Sequence, residues 1–122
     1  VNREESAIGL CAGAFFGGTR SLALMGGSGL MTCVYALTKI NYTYQVPLLL
    51  FTTLRGALGE RSHFHVSNGL YLLPLLDAID MPYTVVDQPD KIALIPNAFE
   101  QSQVMARPVV VAFSRSVLLG DA

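Results

Sequence analysis

The sequence predicts a three-layer α/β/α domain built on a parallel sheet, and three observations carry that expectation. The strand-like segments are continuous apolar runs, such as Val46-Pro47-Leu48-Leu49-Leu50-Phe51 and Pro108-Val109-Val110-Val111-Ala112-Phe113. Such runs suit strands buried on both faces rather than strands with one wet side. They alternate along the chain with helix-like segments, and strand–helix–strand units close as right-handed crossovers between parallel strands. Hydrophobic residues make up 52% of the 122 residues and charged residues 14%, yet no apolar run reaches the roughly 18 residues of a membrane span. One domain over residues 1–122 follows from the length and from the absence of a repeat, a low-complexity segment or a composition shift.

The first helix covers the stretch from Arg3 to a stop at Gly17-Gly18, with Glu4 and Glu5 in its first turn at the positive end of the helix dipole. Gly9, Gly13 and Gly17 recur at four-residue intervals and share one face. An interior glycine costs about 1 kcal/mol relative to alanine, so the stripe suggests close packing against a helix, a subunit or a flat ligand. Ser21 to Met25 reads as a short buried strand ending at Gly26-Gly27-Ser28-Gly29, and Leu30 to Lys39 as a helix with Ser28 as its cap. Gln45 to Thr52 is the clearest strand. A polar loop then runs from Thr53 to Asn68, a length that in compact domains goes with function or mobility.

Pro74 is placed near the first turn of a helix ending at Ile79, since proline is tolerated there and not in the interior. Tyr83 to Val86 is the third strand. A helix follows from Pro89-Asp90 to Met105, broken or kinked near its middle by Pro96, and Pro108 to Phe113 is the fourth strand. Ser114 to Ala122 reads as an exit segment. The chain opens at Val1 directly before a helix, which leaves open an upstream segment outside this sequence.

A formal net charge of −1 gives no electrostatic case for nucleic acid or an anionic membrane. Cys11 and Cys33 lie in apolar helical contexts without metal-ligand spacing, as reduced core residues of a cytosolic protein would, and no signal peptide is visible. No metal site is expected within the chain.

Ligands of open α/β sheets bind beyond the carboxyl ends of the strands, which singles out Gly26–Thr32 and Thr53–His65. The Gly-Gly-Ser-Gly turn suits a phosphate cradle or simply a close backbone approach; it lacks the P-loop lysine and the full dinucleotide spacing. His63 and His65 point to opposite faces of an extended segment, which argues against one shared metal. They read either as exposed loop histidines or as an anion contact together with Arg55. Asp77, Asp80, Asp87 and Asp90 read as solvated ends and turns. Neither Ser6 nor Ser28 sits in a nucleophile elbow. Glu4 and Glu5 read as a dipole-stabilised helix start or as part of a site.

Taken together, Arg-Glu-Glu-Ser-Ala-Ile-Gly-Leu-Cys-Ala-Gly-Ala-Phe, then Gly-Ser-Gly-Leu, then Val-Pro-Leu-Leu-Leu-Phe leading to Arg-Gly, then His-Val, then Leu-Leu-Asp-Ala-Ile-Asp-Met-Pro-Tyr resemble the pyrimidine-binding domain of thiamine-diphosphate enzymes. The resemblance runs from about Arg3 to Phe113 and is nearest to sulfopyruvate decarboxylase alpha subunits and phosphonopyruvate decarboxylases. It implies the thiamine-diphosphate-binding fold without its first strand–helix unit, and a cytoplasmic 2-oxo acid decarboxylase. It implies that Glu4, nine residues before Gly13, shares a proton with N1′ of the cofactor's aminopyrimidine from a dry pocket. Gly27, Ser28, Gly29 and Leu30 would lie against the cofactor or the partner subunit, and Arg55 and His65 would face the anionic substrate. Magnesium and the diphosphate would be held by a beta-type partner in a homo- or hetero-oligomer, because the Gly-Asp-Gly motif and downstream asparagine are missing. Gly120-Asp121-Ala122 at the terminus does not replace them. Relatives often carry polar amides where this chain has Gly26 and Gly27. A non-catalytic assembly subunit of the same fold and a free-standing flavodoxin-like binder are the rival readings.

Overall fold

A computed structural model describes residues 1–121; Ala122, the last residue of the expected exit segment, lies outside the described residues. Helix α1 (Glu4–Phe16) leads to β1 (Leu22–Leu24), then to α2 (Gly27–Thr32), α3 (Val34–Ala36) and a π-helical turn (Leu37–Tyr42). There follow β2 (Leu48–Leu54), α4 (His63–Ala78), β3 (Tyr83–Val86), a 3₁₀ segment (Pro89–Leu94), α5 (Ile95–Met105), β4 (Pro108–Ser114) and α6 (Arg115–Leu119). The four strands form one sheet in the order β1-β2-β4-β3, every neighbouring pair parallel. The expected α/β class and parallel sheet are therefore present.

The two-sided burial of the sheet follows from the period of two along a strand. Leu48 and Leu50 of β2, with Val110 of β4, face Ile8 of α1, Leu30 of α2 and Leu72 and Leu76 of α4. Leu49, Val109 and Val111 face the other way, toward Ala98 of α5, with Phe51, Phe99 and Phe113 around them. Leu30, Leu37, Leu50, Leu72 and Leu76 are all fully buried in the first cluster, each contributing roughly 1.5–3 kcal/mol. The face that carries α1, α2 and α4 is therefore the main core.

The Gly17-Gly18 stop forms as expected: Gly18 takes a φ of +83°, the Thr19 amide donates to the Ala14 carbonyl and the Gly18 amide to the Phe15 carbonyl, the Schellman arrangement. Over Gly9 and Gly13 the glycine stripe of α1 meets nothing among the described residues. A Cβ at Gly9 or Gly13 would find open space, and Leu10 and Phe16 beside it are exposed.

Several expectations are corrected. Ser28 does not cap α2; Gly26 holds the N-cap position without a side-chain bond, and helix begins at Gly27. The expected Leu30–Lys39 helix is a longer helical path with a joint at Cys33 and a π turn. At its end the fully buried Asn41 donates Nδ2–H to the Val46 carbonyl and accepts the Val46 amide at its own carbonyl, turning the chain into β2. The polar loop is confined to Arg55–Ser62, because α4 begins at His63, well before Pro74. Pro74 sits inside α4 on an exposed position, where the Leu70 carbonyl that loses its amide partner can be hydrated instead. Pro96 marks a real break, between the 3₁₀ segment and α5. The exit segment contains α6, capped by Ser114 Oγ accepting the Val117 amide.

Of the two thiols, both free, Cys33 is buried and Cys11 is half-buried against the main core. Burial pushes the Cys33 thiol pKa upward. Asp77, Asp80, Asp87 and Asp90 are exposed, as expected. No helix among the described residues is long and apolar enough to cross a membrane.

Candidate active site

Two regions lie beyond the carboxyl ends of the strands. At the end of β1, the chain turns through Gly26 into α2, which packs against both α1 and α4. Gly29, in the first turn of α2, is pressed against Glu4: a Cβ built there would fall 2.5 Å from Glu4 Cγ and 2.7 Å from Oε1. The missing side chain of Gly29 is what allows the Glu4 carboxyl to rest on α2. Gly27 is confined less severely, its absent Cβ facing Leu72 Cδ2 at 3.1 Å and the Thr53 carbonyl at 3.2 Å. The glycines of this turn thus serve close approach. A phosphate cradle is disfavoured, since an anion over Gly29 would meet the Glu4 carboxylate.

Glu4 and Glu5 differ in their surroundings. Glu5 accepts a 3.4 Å contact from Arg3 Nη2, an exposed pair of small worth, whereas the Glu4 carboxyl makes no hydrogen bond among the described residues. Glu4 is exposed in this chain. The dry pocket expected around it is not formed by the chain alone.

The second region is a cleft of about 790 Å³ across the ends of β2, β3 and β4, lined by the Arg55–Ser62 loop, Val85, Asp87 and Ser114–Ser116. Arg55 enters it already paired: its Nε and Nη2 donate to Glu60 Oε2 and Oε1, both at 2.8 Å. Glu60 also accepts the amides of Gly56 (3.3 Å), Arg61 (3.0 Å) and Ser62 (3.1 Å). The Arg55 guanidinium first, then the Ser62 amide, holds the Glu60 carboxyl far below the usual carboxylate range. Because its folded pKa is depressed, its stabilising contribution is complete above the unfolded value near 4.3 and is lost as the pH falls from there toward the folded one. The melting-temperature gap between wild type and Glu60→Gln is accordingly expected to stay level from about pH 8 to 5 and to narrow below that. A gap that narrows near neutral pH would refute the pairing.

Gly56 has a φ of +84°, and a Cβ on it would fall 2.7 Å from the His65 carbonyl. A Cβ on Gly69 would fall 2.5 Å from the Arg55 carbonyl. The two glycines thus lock the Arg55-Gly56 turn onto the first turns of α4. His63 and His65 stand on that helix rather than on an extended loop. They diverge all the same, because two helical positions lie about 200° apart. His65 is half-buried, its ring 4.6 Å from that of Phe64, with Nδ1 buried and lacking a hydrogen-bond partner among the described residues.

The sequence-predicted residues therefore fall into separate groups. Glu4 and Gly29 come together at the α1–α2 contact, while Gly27 packs on α4 and the end of β2, Leu30 is fully buried and Ser28 is exposed. Arg55 lines the cleft, which Glu4 and His65 do not. Glu60 was missed as a functional candidate. Its spacing from Arg55 across a turn with two glycines, Gly56 and Gly59, was the available clue. Among the described residues no group of three or more His, Cys, Asp or Glu side chains could hold a metal ion.

The domain is an open, all-parallel α/β sheet, the class of fold in which ligand sites lie beyond the carboxyl ends of the strands, and the Glu4 contact and the Arg55 cleft both stand at that edge. No family model matches the chain. The sulfopyruvate decarboxylase alpha subunit of Methanococcus maripaludis is 35% identical over 112 residues, covering 91% of this chain and 67% of that relative. The alpha subunit from Methanocaldococcus jannaschii is 32% identical over 114 residues, covering 93% and 68%. The phosphonopyruvate decarboxylase of Streptomyces viridochromogenes is 32% identical over 100 residues, covering 81% of this chain and 25% of that relative. The chain belongs to the family of sulfopyruvate decarboxylase alpha subunits. It spans about two thirds of those subunits' length.

Proposed function

We propose that this chain is the pyrimidine-binding, alpha-type part of a thiamine-diphosphate-dependent 2-oxo acid decarboxylase, with sulfopyruvate as substrate and sulfoacetaldehyde and carbon dioxide as products. The observation that carries the reading is the Glu4 carboxyl seated on Gly29, at the one turn where a side chain would push it away. That carboxyl has no protein partner among the described residues, so it fits the role of a group waiting for a ring nitrogen. Thiamine diphosphate, when bound, would supply the electron sink for loss of carbon dioxide.

In this reading Glu4 holds a proton at its carboxyl oxygen and shares it with the aminopyrimidine nitrogen. Burial by a neighbouring subunit favours that protonated form by taking the charge out of water. Gly27, Ser28, Gly29 and Leu30 form the turn behind the ring: Ser28 is its exposed residue, Gly29 makes room for Glu4, and Gly27 and the buried Leu30 seat the turn on the core. Arg55 orients the anionic end of the 2-oxo acid from the cleft, and His65, outside the lining of that cleft, supports the Arg55-Gly56 turn from the first turn of α4. The exposed position of Glu4 supports a partner that covers the start of α1, and the bare stripe at Gly9 and Gly13, roughly opposite Glu4 around the helix, leaves a second surface open to a neighbour. That partner would be a diphosphate-binding, beta-type subunit holding Mg²⁺.

The chain co-expressed with such a subunit is the material for the test. Titration calorimetry is expected to show thiamine diphosphate binding to the complex, and the complex is expected to release carbon dioxide from sulfopyruvate. Faster release from phosphonopyruvate would move the substrate assignment to that acid. Cofactor binding without turnover of either acid would favour a non-catalytic assembly subunit, and a lone chain that binds a nucleotide or flavin would favour a free-standing binder.

A further inference from the structure

Glu60 is the most heavily engaged polar side chain of the cleft. Its side chain is 7% exposed, against 29% for Arg55, and it gathers the Arg55 fork and the amides of Gly56, Arg61 and Ser62. Ser62 is the N-cap residue of α4 and offers no side-chain cap. The Glu60 carboxylate stands just before the positive end of that helix and takes the amides of the N-cap residue Ser62 and of Arg61 before it. On the other side, Gly56 and Gly69 leave no room for a side chain between the Arg55-Gly56 turn and α4. Arg55 is held from two directions.

The consequence concerns which part of Arg55 remains available. A guanidinium presents five N–H groups in a rigid plane. Here the Nε–Nη2 edge is filled by Glu60, and Nη1 has no partner among the described residues. The Arg55–Glu60 pair is neutral as a whole, so Arg55 acts on an anion through directed hydrogen bonds more than through net charge. Without Glu60, the same guanidinium would rotate about a flexible stem and lose the alignment.

We infer that Glu60 is a positioning residue that fixes Arg55 through its Nε–Nη2 edge, so that the remaining edge meets the anionic end of the 2-oxo acid in the cleft. This rests on the proposed decarboxylase reading for the identity of the anion, but not for the hold of Glu60 on Arg55.

The test uses the complex with the diphosphate-binding subunit. Glu60→Gln is expected to raise KM for sulfopyruvate about tenfold with kcat within about threefold of wild type. Arg55→Ala is expected to do the same, and the double variant to be no worse than Arg55→Ala alone, since two residues acting through one contact are not additive. Glu60→Asp, which keeps the charge on a shorter stem, is expected to recover part of the loss and serves as the deciding variant if Glu60→Gln does not fold. Independently of turnover, trypsin cleavage after Arg55 and Arg61, followed by mass spectrometry, is expected to quicken about tenfold in Glu60→Gln, because that variant releases the loop. Unchanged KM in Glu60→Gln, or fully additive losses in the double variant, would overturn the positioning role. Unchanged cleavage would overturn the hold on Arg55. A wild-type complex without decarboxylation would instead remove the substrate assignment and leave the cleavage result to judge the hold.

Discussion

Replacing Glu4 by Gln in the chain assembled with the proposed diphosphate-binding subunit is expected to lower kcat by about 10²–10⁴, the usual worth of a positioned acid–base group. The amide has nearly the shape of the carboxyl but cannot pass a proton to and from a ring nitrogen. The fold should not notice. Glu4 is exposed and makes no side-chain hydrogen bond among the described residues, and losing one first-turn acid costs a helix about 0.3–1 kcal/mol. The far-ultraviolet circular dichroism and the melting temperature are thus expected to stay close to wild type while carbon dioxide release collapses. Calorimetry with thiamine diphosphate adds a readout that does not depend on turnover, with weaker binding expected in the variant. Near-normal turnover would remove Glu4 from the role proposed for it. Glu5→Gln is the companion control: its partner is the exposed Arg3, and its turnover is expected to remain near wild type.

Gly29→Ala is expected to separate activity from stability most sharply. Its new methyl would fall 2.5 Å from Glu4 Cγ and 2.7 Å from Glu4 Oε1. Those atoms belong to a flexible, exposed side chain, so Glu4 can swing aside at little cost to the fold. Alanine also favours helix over glycine by about 1 kcal/mol, which offsets part of any local strain. The melting temperature is therefore expected to hold or rise slightly. The carboxyl, however, would no longer rest on α2, and a misplacement on the order of 1 Å is worth about a hundredfold in rate. A drop of about that size in kcat with an unchanged melting curve is the expected result. Full activity in Gly29→Ala would mean that the contact between Glu4 and α2 does not serve the reaction.

The legibility of the site varied with how local its determinants are. Glu4 stands out as a candidate because a helix start with two acids is a local pattern, and the resemblance to thiamine-diphosphate enzymes selects it over Glu5. The start of α4 was not readable in the same way. Asn68, Leu72 and Leu76 are buried at four-residue spacing, a helical period already running before Pro74. The proline and the polar run of His63, His65, Ser67 and Asn68 pointed instead to a loop. Core packing of Leu72 and Leu76 outweighed the cost of an exposed interior proline. The Arg55–Glu60 pair was hidden for another reason: both residues were visible in a loop with other charges, but the bidentate geometry depends on how Gly56 turns.

The amino-acid sequence by itself determined the α/β class, the two-sided burial of β2 and β4, the break at Pro96 and the helix end at Gly17-Gly18. Each rests on chain-local physics: an apolar run, a proline's missing amide, a glycine's left-handed φ. The strand order β1-β2-β4-β3, the first residue of α4, the seat of Glu4 on Gly29 and the clamp of Glu60 on Arg55 were decided only in the tertiary structure. The physical reason is that a contact made by an absent Cβ, or a fork closed across a folded turn, joins groups whose separation is set by the packing of α1, α2 and α4 on the sheet. No local period encodes that separation.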